Sequence, residues 1–415
     1  MLQLVAATET FSSPVQSAAR TVEHHHVLVV GGGTGGVSVA ARLRRALPPG
    51  AVAILEPSEQ HFYQPLWTLV GGGVFPKERS LRPQASVIPR GVRWLLDAAE
   101  RLEPDDCAVV TRDGRRLTYD FLVVAPGIQI DWDAVAGLPA ALMRAEVTSI
   151  WSYEGAERTW NAIRAFAGGT AIFTCPSTPI KCPGAAQKIA YLADDTFRRN
   201  GVRRGSRVIF ATAGPGIFAV EKYARTLRQV IERRGIELLT RHELVEVRPD
   251  AREAVFQQLD TGDSVSVPYD LLHVAPPQSA PDFVKASPLA GANGWIEVDK
   301  QTLQHPRWPN VFALGDAAAL AISKTGAAVR WQARILAENL LAARDARSLP
   351  GAYDGYTACP LVTGYGKLVL AEFDYDGKPK ETFPFDQSKE RRSMWLLKKY
   401  GLPALYWRGI LRGRA

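Results

Sequence analysis

Residues 24–36 read HHHVLVVGGGTGG, and this stretch decides the fold. Val27–Val30 is a short apolar run that stops abruptly at glycine, the composition of a strand buried on both faces of a parallel sheet. Gly31-x-Gly33-x-x-Gly36 follows at once, with Thr34 and Gly35 completing the turn. At this spacing glycines permit a tight turn, close approach of a pyrophosphate to the backbone, and helix–strand packing. VSVAARLRRAL (37–47) then continues with helical spacing of its apolar residues. AVAILEP (51–57) is a second apolar strand ending in Glu56, 25 residues after Gly31, where an acid can hold a ribose hydroxyl. Together they predict a βαβ unit that seats a dinucleotide on a helix N-terminus. The three histidines ahead of the strand have no fourth ligand at metal spacing; they read as a solvated strand entry, and no metal site is expected.

The same alternation recurs further on. Short strands fill 92–127, ending at TYDFLVVAPG (118–127) and Gly127. The segment 141–168 reads as helical, TAIFTCP (170–176) as a strand and AAQKIAYLADDTFRRNG (185–201) as a helix. RVIFATAGPGIF (207–218) is strand and turn, EKYARTLRQVIERRG (221–235) a helix, and further strands follow. VFALGDAA (311–318) is a strand entering a Gly315-Asp316 turn, before the helical GAAVRWQARILAENLLAAR (326–344). The expected fold class is α/β, with two doubly wound Rossmann-like dinucleotide domains and a C-terminal amphipathic membrane-contact segment. Residues 24–150 with 295–350 form the first domain, 151–294 the second, and 351–415 the C-terminal region. In the second domain the first strand runs into PSTPIKCPGAA (176–186), which has three prolines, a cysteine and no GxGxxG. Its nicotinamide site therefore reads as lost, and Gly214 and Gly216 belong to a later turn.

Composition narrows the function classes. Four cysteines in 415 residues, at 107, 175, 182 and 359, are too few for a secreted disulfide scaffold and enough for a redox pair. Cys182 precedes a helix and follows Lys181, two features that favour a thiolate. Cys359, in YTACPLV (356–362), reads as lying in an exposed loop bounded by Gly and Pro. Cys175 at a strand end and Cys107 in a turn read as ordinary structural cysteines. The net charge is +8, yet residues 388–415 alone carry +7. The basic character thus belongs to a tail, and no nucleic-acid face is expected. That tail, RRSMWLLKKYGLPALYWRGILRGR (391–414), mixes bases with Trp395, Leu396, Leu397, Leu402, Leu405, Tyr406, Trp407, Ile410 and Leu411. It reads as an interfacial membrane anchor. No uncharged apolar run of 18 residues exists, so a transmembrane helix is not expected. The first 23 residues lack the apolar core of a secretory signal, and with Arg20 as their one base they match a mitochondrial presequence poorly.

TPIKCPGAAQKIAYL (178–192), YTACPLVTGYGKLVLAEFDY (356–375) and ETFPFDQSKERRSMWLLKKYGLPALYW (381–407) resemble sulfide:quinone oxidoreductases of the animal mitochondrial type and related bacterial enzymes. The resemblance spans about residues 25–411, and the VVAPG and GD turns resemble those of two-dinucleotide-domain flavoproteins generally. It implies non-covalent FAD, with Thr34, Gly35, Glu56, Gln64, Asp316 and Lys324 among its contacts and Ala99 touching adenine through its backbone. Gly31, Gly33, Gly36, Gly127 and Gly315 belong to the same cofactor turns. It implies a Cys182/Cys359 redox pair in which sulfide attacks Cys359, leaving a persulfide there, and Cys182 is released as thiolate. Glutathione, sulfite or cyanide would remove the sulfane sulfur, and ubiquinone or another membrane quinone would take two electrons. A peripheral, monotopic place on a bacterial or mitochondrial inner membrane follows from the quinone. Ala317-Ala318-Ala319 depart from the Cys-Thr-Asn common after the GD turn, and Gly326 and Arg330-Trp331 replace small residues common in the helix after Lys324. An NADH:quinone dehydrogenase is opposed by the missing second glycine motif and by the cysteine pair. A pyridine-nucleotide disulfide reductase is opposed by residues 57–80, which hold no cysteine. A non-catalytic flavin-binding protein is opposed by retention of both cysteines.

Overall fold

The computed structural model describes residues 22–415. Most of the segment on which the leader readings rest lies outside those residues. Strand β1 (Val22–Val30) runs parallel to β2 (Val52–Leu55) and to Arg116–Val124. Helix α1 (Thr34–Ala46) joins β1 to β2. The sheet continues outward from β2 to Arg93–Leu95. On its other side the long strand Arg116–Val124 pairs antiparallel with Ala108–Thr111 and, at its C-terminal end, parallel with Val311–Ala313. Val27–Val30 and Val52–Leu55 supply a core with essentially no solvent exposure, as a parallel sheet covered on both faces requires.

A second sheet of five parallel strands has the order Val147–Thr148, Leu271–His273, Gly169–Cys175, Ser206–Thr212, Glu237–Thr240. Helices Ala185–Arg199 and Glu221–Arg234 cover it, the first buried on nearly every side from Ala185 to Asp194 and the second with one apolar face turned inward. The expected helix over 141–168 is shorter. Val147–Thr148 is taken as the edge strand of this sheet, and the helix begins at Tyr153, where the Ser152 hydroxyl accepts from Gly155 N.

A third element is an antiparallel hairpin, Thr357–Gly364 with Lys367–Phe373. Its apolar residues Cys359, Leu361, Val369, Ala371 and Phe373 join the core of the second sheet. Cys359 is therefore 1% exposed in a strand, not in an exposed loop. The prolines suggested a loop, but each strand of a two-stranded hairpin is an edge and can carry Pro360.

The tail folds as two short helices, Arg392–Leu396 and Leu402–Arg408, joined by a wider π turn over Leu397–Gly401. It packs on the first sheet's unit through Met394, Trp395, Tyr406, Trp407, Ile410 and Leu411. Five of the nine apolar residues read as a membrane face are thus inside the protein. Their partners lie hundreds of residues away in sequence, so local patterning assigned them to the wrong solvent. No helix among the described residues is long and apolar enough to cross a membrane.

Candidate active site

The glycine turn has the geometry its spacing implies. Gly31 has φ +101°, and a Cβ there would lie 2.3 Å from Ala125 O. A Cβ on Gly36 would lie 1.8 Å from Gly31 O, so helix and strand touch there only because side chains are missing. At Gly33 a Cβ would meet nothing within 4 Å, and α1 opens there with no side-chain cap and no acid in its first turn. These are the features of an anion cradle, and they fit a cofactor diphosphate. Glu56 ends β2 with Oε2 accepting from Gly32 N (2.7 Å) and Oε1 from Ser58 N (2.8 Å). Burial raises its pKa against those two bonds. Each carboxylate oxygen retains a lone pair for a further donor.

The other predicted cofactor residues lie on separate segments. Gly127 and Gly315 have positive φ, +84° and +72°, and Gly315 N donates to Gln332 Oε1 (2.9 Å). Lys324 is buried, donates to Asp316 O (2.6 Å) and stands 3.8 Å from the centre of the Trp295 ring. Burial pushes Lys324 down to about 8, with Asp316 opposing. Burial likewise raises Asp316, against Lys324 and Lys181. Gln64 is exposed at the start of the short turn Gln64–Leu66, and Ala99 is half-buried at the head of strand Ala99–Glu103. Among the described residues no cluster of His, Cys, Asp and Glu could hold a metal. Of the three leading histidines, His24 is exposed and His26 bonds Asp120 (2.6 Å), but His25 is buried.

The cysteines converge from opposite ends of the chain. The loop after Gly169–Cys175 is pinned to the Gly-Asp segment: Cys182 N donates to Lys324 O (2.9 Å). Helix Ala185–Arg199 starts directly behind it, and Ala185 N donates to Cys182 O (2.8 Å). Cys359 reaches the same point from the hairpin; a Cβ on Gly184 would lie 2.8 Å from Cys359 Sγ. Lys188, buried one helical turn into the helix, donates to Cys182 Sγ at 3.1 Å. Lys398, buried in the tail's π turn, donates to Pro65 O (2.8 Å) and adds charge to the same site.

These contacts split the pair. The hydrogen bond from Cys359 holds Cys182 well below the usual thiol range against the pull of burial, and Lys188 and Lys398 lower it further. The same contact and burial push Cys359 up. Burial would strip Lys188 of its proton, but the two cysteines hold it on. Burial brings Lys398 down to about 8. The arrangement is a thiolate at Cys182 bonded by a thiol at Cys359, the asymmetry dithiol–disulfide chemistry needs. Cys175, by contrast, is pushed up to about 12 by burial.

Sequence reasoning named Lys181 as the cation beside Cys182. In the structure Lys181 faces Asp316 and the Trp67 ring, and Lys188 and Lys398 supply the charge at the pair. The available signal was a lysine on the apolar face of AAQKIAYLA. Nothing local marks Lys398.

Two nucleotide-type sheets with a cysteine pair at their junction define a class, the pyridine nucleotide-disulphide oxidoreductases, whose family model matches residues 25–167 and 187–333. The mitochondrial sulfide:quinone oxidoreductase of Mus musculus is 49% identical over 381 residues, 91% of this chain and 84% of that protein. Its counterpart in Dictyostelium discoideum is 44% identical over 383 residues, 92% of this chain and 84% of that protein. The crystal structure of the Aquifex aeolicus sulfide:quinone oxidoreductase shares the fold, with TM-score 0.81 at 21% identity over 94% of this chain and 92% of that one. The chain belongs to the sulfide:quinone oxidoreductase family, and that membership implies a flavin cofactor.

Proposed function

We propose that the chain oxidises sulfide with a membrane quinone as electron acceptor, using the Cys182/Cys359 pair and FAD. The observation that supports this most is the buried junction where a lysine-paired thiolate and a thiol meet beside the Gly315-Asp316 turn. FAD would be held by Gly31, Gly33, Thr34, Gly35, Gly36 and Glu56 on the first turn, by Gly127, Gly315, Asp316 and Lys324 on the others, and by Gln64 and Ala99 at its edges. Bound there, it supplies a two-electron acceptor that quinone can reoxidise. Residues 24–150 and 295–350 form the cofactor domain in this reading, 151–294 the second domain and 351–415 the C-terminal region.

In the oxidised enzyme Cys182 and Cys359 share a disulfide. Hydrosulfide forms a bond to Cys359 Sγ as the Cys182–Cys359 bond breaks, and that electron pair leaves on Cys182. Lys188 and Lys398 stabilise the leaving thiolate, which favours attack at Cys359 over attack at Cys182. A nucleophilic acceptor such as glutathione, sulfite or cyanide then takes the terminal sulfur from Cys359. The remaining dithiol then loses two protons and two electrons as the disulfide reforms, the electrons going to quinone by way of bound FAD. The membrane side of the reading rests on the basic tail and its exposed Leu396 and Tyr400, and places the enzyme peripherally on the inner membrane of a mitochondrion or a bacterium.

The test is anaerobic absorbance of the purified protein as sulfide and then quinone are added, beside Cys182→Ser and Cys359→Ser. Bleaching of the flavin band in the parent alone, with recovery on quinone, is the expected result. Bleaching by NADH and not by sulfide would overturn the proposal.

A further inference from the structure

A chain of buried hydrogen bonds leads away from the glycine turn through His61, Gln84 and Tyr406, three residues with no part in the chemistry above. Thr34 Oγ1 lies 3.0 Å from Tyr406 Oη, which lies 2.7 Å from His61 Nε2. His61 Nδ1 lies 3.0 Å from Gln84 Oε1, and Gln84 Nε2 donates to Gly32 O at 2.9 Å. Gly32 N in turn donates to Glu56. The inner members are enclosed: His61 is 3% exposed, Gln84 1% and Tyr406 2%. Five separate segments, the tail included, build this chain around one helix N-terminus.

The direction of every proton in it is fixed. Gly32 O can only accept, so the Gln84 amide must present Nε2 to it and Oε1 to His61. Oε1 can only accept, so His61 carries its proton on Nδ1. A neutral imidazole then has a bare Nε2, and Tyr406 must donate to it. The phenol has one proton, so Thr34 must donate to Tyr406. The Thr34 hydroxyl proton is thereby turned away from the anion cradle.

Protonating His61 reverses the outer half. Nε2–H would donate to Tyr406, Tyr406 would donate to Thr34, and the Thr34 proton would be free for an anion at the helix N-terminus. Burial first, then Arg82 on the strand paired with His61, oppose that protonation, while Gln84 and Gly32 favour it. The remaining neighbours are the Tyr406 and Trp407 rings, with Arg82 stacked 4.1 Å from Trp407 and facing Arg408 and Arg412. A diphosphate in the cradle adds negative charge to a site otherwise ringed by these cations.

We propose that His61 and Tyr406 are positioning residues for the flavin dinucleotide: they set the direction of the Thr34 hydroxyl, so that dinucleotide retention is coupled to proton uptake at His61. The inference rests on FAD occupying the glycine turn, as proposed above. A charge-assisted hydrogen bond gained on protonation corresponds to about tenfold in affinity or somewhat more.

The experiment follows flavin release from the holoenzyme after dilution, by fluorescence, between about pH 8 and about pH 4.5, extended below the ordinary imidazole range because burial lowers the His61 pKa. It uses the parent, Tyr406→Phe, His61→Gln, Thr34→Val and Thr34→Ser. Release from the parent is expected to slow on acidification by about tenfold. Tyr406→Phe keeps the ring packed 4.3 Å from Tyr63 and should flatten the profile. His61→Gln and Thr34→Val should flatten it as well, and Thr34→Ser should restore it. Flavin-loaded parent whose release is independent of pH, or an unchanged slope in Tyr406→Phe, would overturn the inference alone. Purified parent that binds no flavin would overturn the cofactor reading with it.

Discussion

Cys182 sits at φ +52°, a left-handed conformation that costs a non-glycine residue about 1–3 kcal/mol. Its surroundings over-determine it: its N–H is taken by Lys324 O, its carbonyl by Ala185 N and its sulfur by Lys188. The backbone strain therefore aims the sulfur at Cys359 from a fixed loop. Its charge is a balance of opposed effects, with burial favouring the thiol and the Cys359 contact and two lysines favouring the thiolate. Lys188→Met removes one lysine and keeps the volume of the side chain. The Cys182 pKa should rise, and alkylation of the reduced enzyme near neutral pH by a small haloacetamide should slow by about tenfold or more, the usual worth of a charge-assisted bond. An unchanged rate across pH would show that Cys359 and Lys398 suffice.

At the scale of elements, the junction depends on a hairpin seated against a helix N-terminus. Arg234 clamps them: it bonds Asp194 (2.7 Å) and Asp195 (2.7 Å) on that helix and Thr363 O (2.6 Å) on the hairpin. They approach closely at Gly184, where a Cβ would lie 2.6 Å from Leu361 Cδ2 and 2.8 Å from Cys359 Sγ. Gly184→Ala should force the hairpin outward at a cost of about 1–3 kcal/mol. The variant is expected to fold yet to keep both thiols titratable under mild oxidation that closes the parent's disulfide. The second sheet carries its own pH sensitivity. His273 lies between Trp151 and Phe173, accepts from Ile150 N at 3.2 Å, and burial lowers its pKa to about 3. A neutral histidine of this kind contributes stability that is complete above the unfolded value near 6.5 and is lost as pH falls from there toward about 3. The parent's stability should fall across that window by up to about 5 kcal/mol, seen as a falling thermal midpoint, and His273→Gln should show a shallower decline. These elements were unequally legible. Gly31, Gly33, Gly36 and Glu56 announced β1–α1–β2 because the signal there is local steric and hydrogen-bonding chemistry. The hairpin was missed, since Pro360 reads as a strand breaker until the strand is known to be an edge.

Over the whole molecule, the site is completed by pieces that sequence distance hides. Thr34, Cys182, Asp316, Cys359 and Lys398 come from five segments, and only the fold shows that the tail delivers Lys398 to one end of the site and Tyr406 to the other. The tail's charge was readable because it is a sum over residues, but its inward face was not, because burial depends on a partner elsewhere in the chain. What remains outside is small and specific. Leu396 is 45% exposed and Tyr400 55%, and exposed Arg392, Arg408, Arg412 and Arg414 lie on the same tail. Two part-exposed apolar side chains can contribute about 1–2 kcal/mol on entering an interface. Each arginine near an anionic leaflet adds about 1 kcal/mol. Neither contribution anchors a protein alone, so binding should need both. Flotation with vesicles containing anionic lipid should recover the parent at low salt, recover much less at high salt, and recover little with neutral vesicles. Leu396→Ser with Tyr400→Ser should weaken recovery about tenfold while leaving the inward-facing Lys398 and Tyr406 contacts in place. Undiminished flotation of that double variant would show that the contact face lies elsewhere on the surface, and quinone would then have to reach the site from another side.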